Sequence, residues 1–299
     1  ASHAGDANRA DGLGDNVPLA SYGLPGTGKL REGVVAAIKR SDSKAVIMAH
    51  HGALCMGESY EDAFAVAAEL EKVCAAFICR KYGELTGTIA SSLETVYDFV
   101  AHRFENKKFA AAPQFEACNS ARDGSVFNIS AVNGNGEVSR IDIKTGDLVA
   151  GDNYPASAEL HRAIYKKRKD VNYIVHNQNP EVMAVSKTTK VMKPLLDDLA
   201  QLVGVTVKNA VFDPNSTLKS SKKVVRALKG RNGVLLANNG ALCVAGSEYD
   251  ATAVEMVMEK GCKAEVGKKL FGTGKPIHPI ETRLMRFVYL QKYSKQAKK

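Results

Sequence analysis

Val46-Ile-Met-Ala-His-His51-Gly-Ala-Leu-Cys55 and Val234-Leu-Leu-Ala-Asn-Asn239-Gly-Ala-Leu-Cys243 are one stretch written twice, 188 residues apart. The register holds without a gap as far as Cys74 and Cys262, with 14 of 29 positions identical. Chance does not produce such agreement, so the chain contains a duplicated unit. The two histidines of the first copy, His50 and His51, are Asn238 and Asn239 in the second. Metal or proton chemistry resting on His51 cannot be repeated at Asn239.

Outward from these stretches the pattern is that of alternating strands and helices. Ala45 to Ala49 is an apolar run of strand length, Gly52 marks a turn, and Ser59 with Asp62 three residues on starts a helix that runs to about Lys81. Leu30 to Arg40 reads as an amphipathic helix and Ser91 to Phe104 as another. Strands are expected at Ser125 to Ala131, at Val138 to Ile143 before the turn Lys144 to Asp147, and at Asn172 to His176. Glu159 to Lys169 and Pro180 to Ser186 are helical by pattern. The repeat covers roughly 16–104 and 209–293, and 110–208 has no upstream counterpart. The organisation expected is therefore the C-terminal half of a first domain over 1–104, a linker over 105–123 where Pro, Asn and Lys break the periodicity, and a complete second domain over 124–299. A half-domain exposes one sheet face and an unpaired edge, which another segment or another chain would have to cover.

Composition bounds the class. At 299 residues, 45% hydrophobic and 24% charged, the chain is an ordinary globular protein with room for two cores. No apolar run approaches the ~20 residues needed to cross a bilayer, and no secretory leader is recognisable, so a cytoplasmic setting is expected. Six cysteines without a CxxC pair read as small buried hydrophobes in a reducing compartment. The net charge is +9, concentrated at Lys166 to Lys169, at Lys219 to Lys223 and at the C-terminus. These blocks lack interleaved aromatics, and the chain has no Trp. Solvated faces and attraction to small anionic substrates are favoured over nucleic acid.

Two motifs carry possible chemistry. Gly23-Leu-Pro-Gly26-Thr27-Gly28-Lys29-Leu30 nearly spells a phosphate-binding P-loop, but Leu30 stands where a Mg²⁺-binding Ser or Thr belongs. A turn before a helix is the better reading; a nucleotide site would require ATP affinity that disappears in Lys29→Ala. His50-His51-Gly52 lies at a strand end, where a rigid backbone can aim an imidazole at a divalent metal. Taken alone, a hydrogen-bonded structural histidine is the commoner case.

The order of motifs shifts that balance. Asn16 to Leu30, then Ala45 to Phe64, then Glu69 to Phe77, resemble the C-terminal half of the class II aldolase/adducin family, which includes the fuculose-phosphate aldolase type. Ile141 to Gly151 followed by Pro155 to Ser186 resemble the family's stretch ending in its His-x-His. The resemblance implies an α/β fold, a three-layer α/β/α sandwich with a mixed, largely antiparallel sheet. It implies a zinc site of two histidines from His-x-His, a third from the His-Gly turn, and a glutamate four residues before a helical histidine. In the first copy His51 matches the third ligand, and the remaining groups would lie upstream of Ala1. In the second copy His176 matches the first ligand, but Gln178 and Asn239 replace the other two. Ser157 stands four residues before His161, with Glu159 nearby. Carboxamides are poor zinc ligands beside imidazole, so zinc is expected in the first copy only. Weak matches to the family's substrate-binding loops fall at Gly26, Thr27, Asn119, Asn128 and Ser130.

The expectation is thus part of a tandem aldolase-like protein, a metal-dependent carbon–carbon lyase on a phosphorylated or similar hydroxycarbonyl compound. Its site lies in the first copy and is completed by a segment not in this chain; its second copy is degenerate. A homo-oligomer or association with a complementary N-terminal fragment is implied, with no membrane partner. The alternative is a catalytically inactive, adducin-like interaction protein.

Overall fold

The computed structural model describes Leu13, Gly14 and residues 16–293. The chain divides into two compact units, 1–96 and 97–299. In the first unit, β1 (Leu19–Ala20), β2 (Ala45–Met48) and β3 (Gly52–Cys55) form a three-stranded sheet in that order. Strand β1 runs parallel to β2, and β2 is antiparallel to β3. Helix α1 (Gly28–Ile38) joins β1 to β2, and α2 (Tyr60–Thr86) follows β3. The start of α2 is written into its first turn. Ser59 Oγ accepts from Asp62 N–H (3.1 Å), while Asp62 Oδ2 accepts from Glu58 N–H (3.0 Å), a reciprocal cap that satisfies two orphan donors. Helix α3 (Leu93–Arg103) spans the junction of the units.

The second unit opens with the one-turn α4 (Lys107–Ala110), then β4 (Cys118–Asp123), β5 (Val126–Ala131), β6 (Ser139–Asp142) and β7 (Leu148–Ala150). Helix α5 (Ala158–Lys167), β8 (Tyr173–Asn177), α6 (Pro180–Thr188), β9 (Val191–Met192) and β10 (Val207–Ala210) follow. The unit ends with α7 (Thr217–Ala227), β11 (Gly233–Leu236), β12 (Ala241–Ala245), α8 (Glu248–Phe271) and α9 (Pro279–Val288). The nine strands form one sheet in the order β7-β6-β5-β4-β8-β12-β11-β10-β9. Every neighbouring pair is antiparallel except β10 with β11. This is the mixed, largely antiparallel sheet expected from the sequence.

Strand alternation sorts the two faces. Val234, Leu236, Leu242 and Val244 share a core with Leu160 and Ile164 of α5 and Val224 and Leu228 of α7. On the other face, Gly233 lies under Met258 of α8 and Val203, so a side chain there would collide with both. Helices thus cover both sides of the sheet. Two sequence expectations change. Residues 105–123, read as a linker, carry α4 and β4, and β4 pairs along its length with β5. The polar composition of Cys118-Asn-Ser-Ala-Arg-Asp123 conceals that strand, because its inward residues are a cysteine and a serine. The cysteines are not uniformly buried either: Cys118, Cys243 and Cys262 are, but Cys55 is half-buried and Cys74 exposed.

Candidate functional site at the twin corners

The duplicated stretch folds identically in both units. Ala45–Cys55, Val46–Leu54 and Ile47–Ala53 are cross-strand partners in the first, and Gly233–Cys243, Val234–Leu242 and Leu235–Ala241 in the second. His51 N–H bonds to Met48 O and Asn239 N–H to Leu236 O, each at 2.9 Å. His50 (φ 66°) and Asn238 (φ 59°) are the two non-glycine residues with left-handed backbone among the described residues. That conformation strains any residue with a Cβ, and its appearance at equivalent positions shows that one turn is built twice.

The side chains at the corners do different things. In the first unit the half-buried His51 donates from Nε2 to Gly23 O at 2.8 Å, and its ring stacks on Tyr22 with centroids 5.7 Å apart. Tyr22 also meets His50 edge-on. Gly23, read in the sequence as part of a P-loop-like run, packs against Leu30; a Cβ there would lie 2.5 Å from Leu30 N. Thr27 closes the same turn by bonding Leu24 O through both N–H (3.1 Å) and Oγ1 (2.7 Å), next to Gly26. The glycines of this run therefore have a structural reason, and one of their carbonyls positions the imidazole.

In the second unit Asn239 is completely buried. Its amide Nδ2 donates to Pro113 O (2.9 Å) and Ala237 O (2.8 Å), and its Oδ1 accepts from Phe115 N–H (3.1 Å). The Asn239 carbonyl accepts from His176 Nε2–H at 2.6 Å. Phe115 then lies over His176, ring centroids 5.7 Å apart, and edge-on to Phe212. Asn119 Oδ1 accepts from His176 N–H, and Asn119 is the cross-strand partner of Ser130. Asn128 lies between Ala121 and Arg140 on the same strand β5. Gln178 is exposed and takes no part.

Next to this corner lies a buried polar chain that sequence reading did not single out. Ser120 Oγ bridges His161 Nδ1 (2.7 Å) and the Tyr165 hydroxyl (2.8 Å). His161 Nε2, His176 Nδ1 and Ser157 Oγ are buried without a partner. Burial, then the neighbouring His176, pushes the His161 pKa down to about 3, and burial pushes that of His176 down to about 4, so both rings are neutral near pH 7. Burial likewise raises the Tyr165 hydroxyl. Nothing in sequence spacing joins Ser120, His161 and Tyr165; only the packing of α5 on β4 brings them together. The signal available was the single histidine on the apolar face of an amphipathic helix.

The zinc implied by the resemblance finds no donor set here. Among the described residues no three His, Cys, Asp or Glu side chains converge. In the second unit His176 Nε2 and the whole Asn239 carboxamide are engaged by backbone, and the unpartnered imidazole nitrogens are His176 Nδ1 and His161 Nε2. Two histidines without a third side-chain donor fall short of the three or four ligands a zinc site uses. In the first unit His51 Nε2 is engaged by Gly23 O. Among the described residues, then, no set of side chains fits the metal.

The chain matches the family described as the class II aldolase and adducin N-terminal domain over residues 4–78 and 130–266. The 5-deoxy-D-ribulose 1-phosphate aldolase of Bacillus thuringiensis serovar kurstaki is 26% identical over 103 residues, 34% of this chain and 48% of that protein. The match thus spans about half the length of that curated relative. An L-fuculose 1-phosphate aldolase structure superposes with TM-score 0.53 at 23% identity, covering 67% of this chain and 97% of the other. YgbL of Klebsiella pneumoniae superposes with TM-score 0.51 at 16% identity, covering 64% and 96%. These superpositions show a shared fold. No helix among the described residues is long and apolar enough to cross a membrane.

Proposed function

The chain belongs to the class II aldolase and adducin family, and from that premise we propose that it serves a sugar-phosphate aldolase-like lyase whose reaction is run at the His51 corner. The observation that carries this reading is the contrast between the corners. At one, an imidazole is held half-exposed on Gly23 O and Tyr22. At the other, a carboxamide is spent entirely on backbone, the Phe115 N–H included. The first can still meet a ligand; the second serves as a joint. On this reading the chain is a tandem arrangement, and the two blocks matched by the family each include one copy of the turn.

The first unit needs a complement. Among the described residues strand β3 pairs with β2 alone, whereas its twin β12 pairs with both β11 and β8. The strand, helix and further donors that complete the His51 corner would come from a complementary N-terminal half or from another subunit. No step is assigned to a metal, since the described residues present no set of ligands for one. What its own residues supply is the oriented imidazole: Nε2–H anchored on a carbonyl fixes the tautomer and aims the ring. The net positive charge suits a phosphorylated substrate.

The test is retro-aldol cleavage of L-fuculose 1-phosphate and of 5-deoxy-D-ribulose 1-phosphate, read as release of dihydroxyacetone phosphate, with the intact protein supplied with zinc. His51→Ala is expected to lower kcat/KM by at least about a hundredfold, the usual scale for losing a positioned catalytic group. Cleavage that survives His51→Ala undiminished sinks the assignment. A second reading, an adducin-like interaction protein without catalysis, is favoured by the Phe115–Asn239 closure. An intact protein that neither cleaves either substrate nor retains zinc would support it.

A further inference from the structure

Two lysine-rich blocks, Lys166 to Lys169 and Lys219 to Lys223, stand far apart in sequence and belong to no corner. In the second unit they meet. Helices α5 and α7 pack side by side, their inner faces in the core through Leu160, Ile164, Val224 and Leu228. Their outer faces enclose a groove of about 720 Å³. Lys166, Lys167, Lys222, Arg226 and Lys229 line it, with the partly buried Ala163 and Val225 between them.

From this groove we infer a binding site for a small anion carrying several phosphate groups. The charge is unbalanced: Glu159 is the sole acid in the lining, and it is already forked onto Arg162 at 2.7–3.2 Å. Arg168 is likewise held by Asp170. The remaining five cations form no ion pair among the described residues. Ser221 adds a second observation. It lines the groove at 3% exposure, and its hydroxyl is buried without a partner, an unmet hydrogen-bonding capacity that a ligand oxygen could satisfy.

The occupant's class follows from shape and lining. The volume falls within the range of small-molecule sites, roughly 300–1,000 Å³. No aromatic ring lines the groove, so single-stranded nucleic acid finds no stacking platform. Phosphates match ammonium and guanidinium groups in both charge and hydrogen bonding. The apolar Ala163 and Val225 suit a carbon skeleton between them. Part of the charge is particular to this copy: with Val224-Val225 matched to Val34-Val35, Lys222 and Arg226 of α7 stand where α1 has Glu32 and Ala36, although Lys229 matches Lys39. This inference stands independently of the lyase reading.

The test is calorimetric titration of the full chain with tripolyphosphate and with inositol hexakisphosphate at physiological salt. Binding is expected, weakened at least tenfold in Lys222→Glu/Arg226→Glu. A matched control, Lys219→Glu/Lys223→Glu, makes the same change of charge at exposed residues of α7 outside the groove. It should stay within about twofold of the unaltered protein, and Ser221→Ala should weaken binding about threefold. All three changes are to be checked for an unaltered melt. Absence of binding, equal losses in the two charge-reversal variants, or tighter binding of a single-stranded RNA or of phosphatidylserine vesicles than of either probe would overturn the assignment.

Discussion

Helices α2 and α8 grow from the two copies of the duplicated stretch, yet α2 exposes much of what α8 buries. Each begins at a serine cap bonded at 3.1 Å to the N–H three residues on. In α8 the residues Val254, Met258, Cys262 and Val266 are buried. Their counterparts in α2 are Val66 and Leu70, which are buried, Cys74, which is exposed, and Ile78, which is half-buried. Phe64 and Phe77 stand in solvent on the same helix. The strands repeat the contrast: β11 and β12 are buried throughout, whereas β3 is half-exposed at best. Local sequence is sufficient for strand, turn and helix. Burial depends on what is packed against them, and in the second unit that is β8, α6 and the segment 199–203.

The comparison can be broken most directly by thiol labelling under native conditions. Cys74 should react with a maleimide at least about a thousandfold faster than Cys262, which must await opening of its unit. Comparable rates, read by peptide mass spectrometry, would mean the two helices are equally covered. A partner that completes the first unit should protect Cys74, so the same measurement sharpens the proposal of a complement.

Acid should separate the units next. His161 and His176 are buried and neutral, with pKa values near 3 and 4 against about 6.5 in an unfolded chain. Below pH 6.5 the unfolded chain takes up protons that the folded unit refuses. The stability these rings contribute is complete above that pH and is lost as pH falls toward 4. Each pKa unit is about 1.4 kcal/mol, so the second unit should lose roughly 3 kcal/mol or more by pH 4. His176→Gln should flatten that dependence in a pH series of thermal melts; an unaltered slope would show that the rings are not buried as described.

Two glycines offer a matched pair. Gly52 and Gly240 both have positive φ (111° and 78°), but a Cβ at Gly52 meets nothing within 4 Å, while at Gly240 it would lie 2.1 Å from Asn177 O. Gly52→Ala should therefore cost about 1 kcal/mol, the backbone strain alone, and Gly240→Ala about 3 kcal/mol, since β8 must also move. Equal melting shifts would argue that β8 does not pass so close to the turn. The smallest contrast between the two units is expected at the amide clamp. Asn239→Ala strands the Phe115 N–H and two carbonyls and should cost about 2 kcal/mol in a denaturant titration, against under about 1 kcal/mol for His51→Ala.

Much of this was legible. The repeat, the helix after Ser59 and the hairpin turn at Lys144–Asp147 all follow from short-range pattern. Strand β4 was not, because its inward Cys118 and Ser120 carry no hydrophobic alternation. Strands β1, β9 and β10 have two to four residues each and owe their existence to neighbours. Ser120, His161 and Tyr165 are scattered over 46 positions and become a chain only when α5 docks. The Lys166–Lys169 and Lys219–Lys223 blocks looked like separate solvated faces until α5 and α7 were seen to enclose one groove.

By itself the sequence determined that a strand–turn–strand–helix unit occurs twice and that one copy lost its imidazoles, because caps, left-handed turns and apolar periodicity act over a few residues. Only the tertiary structure decided that Asn239 is a joint tied to Phe115 and Pro113 backbone, that His51 leans on Gly23, and that lysines of two distant blocks line one groove. Those outcomes depend on which distant backbone arrives within hydrogen-bonding reach, and reach across a fold is set by packing rather than by neighbours in the chain.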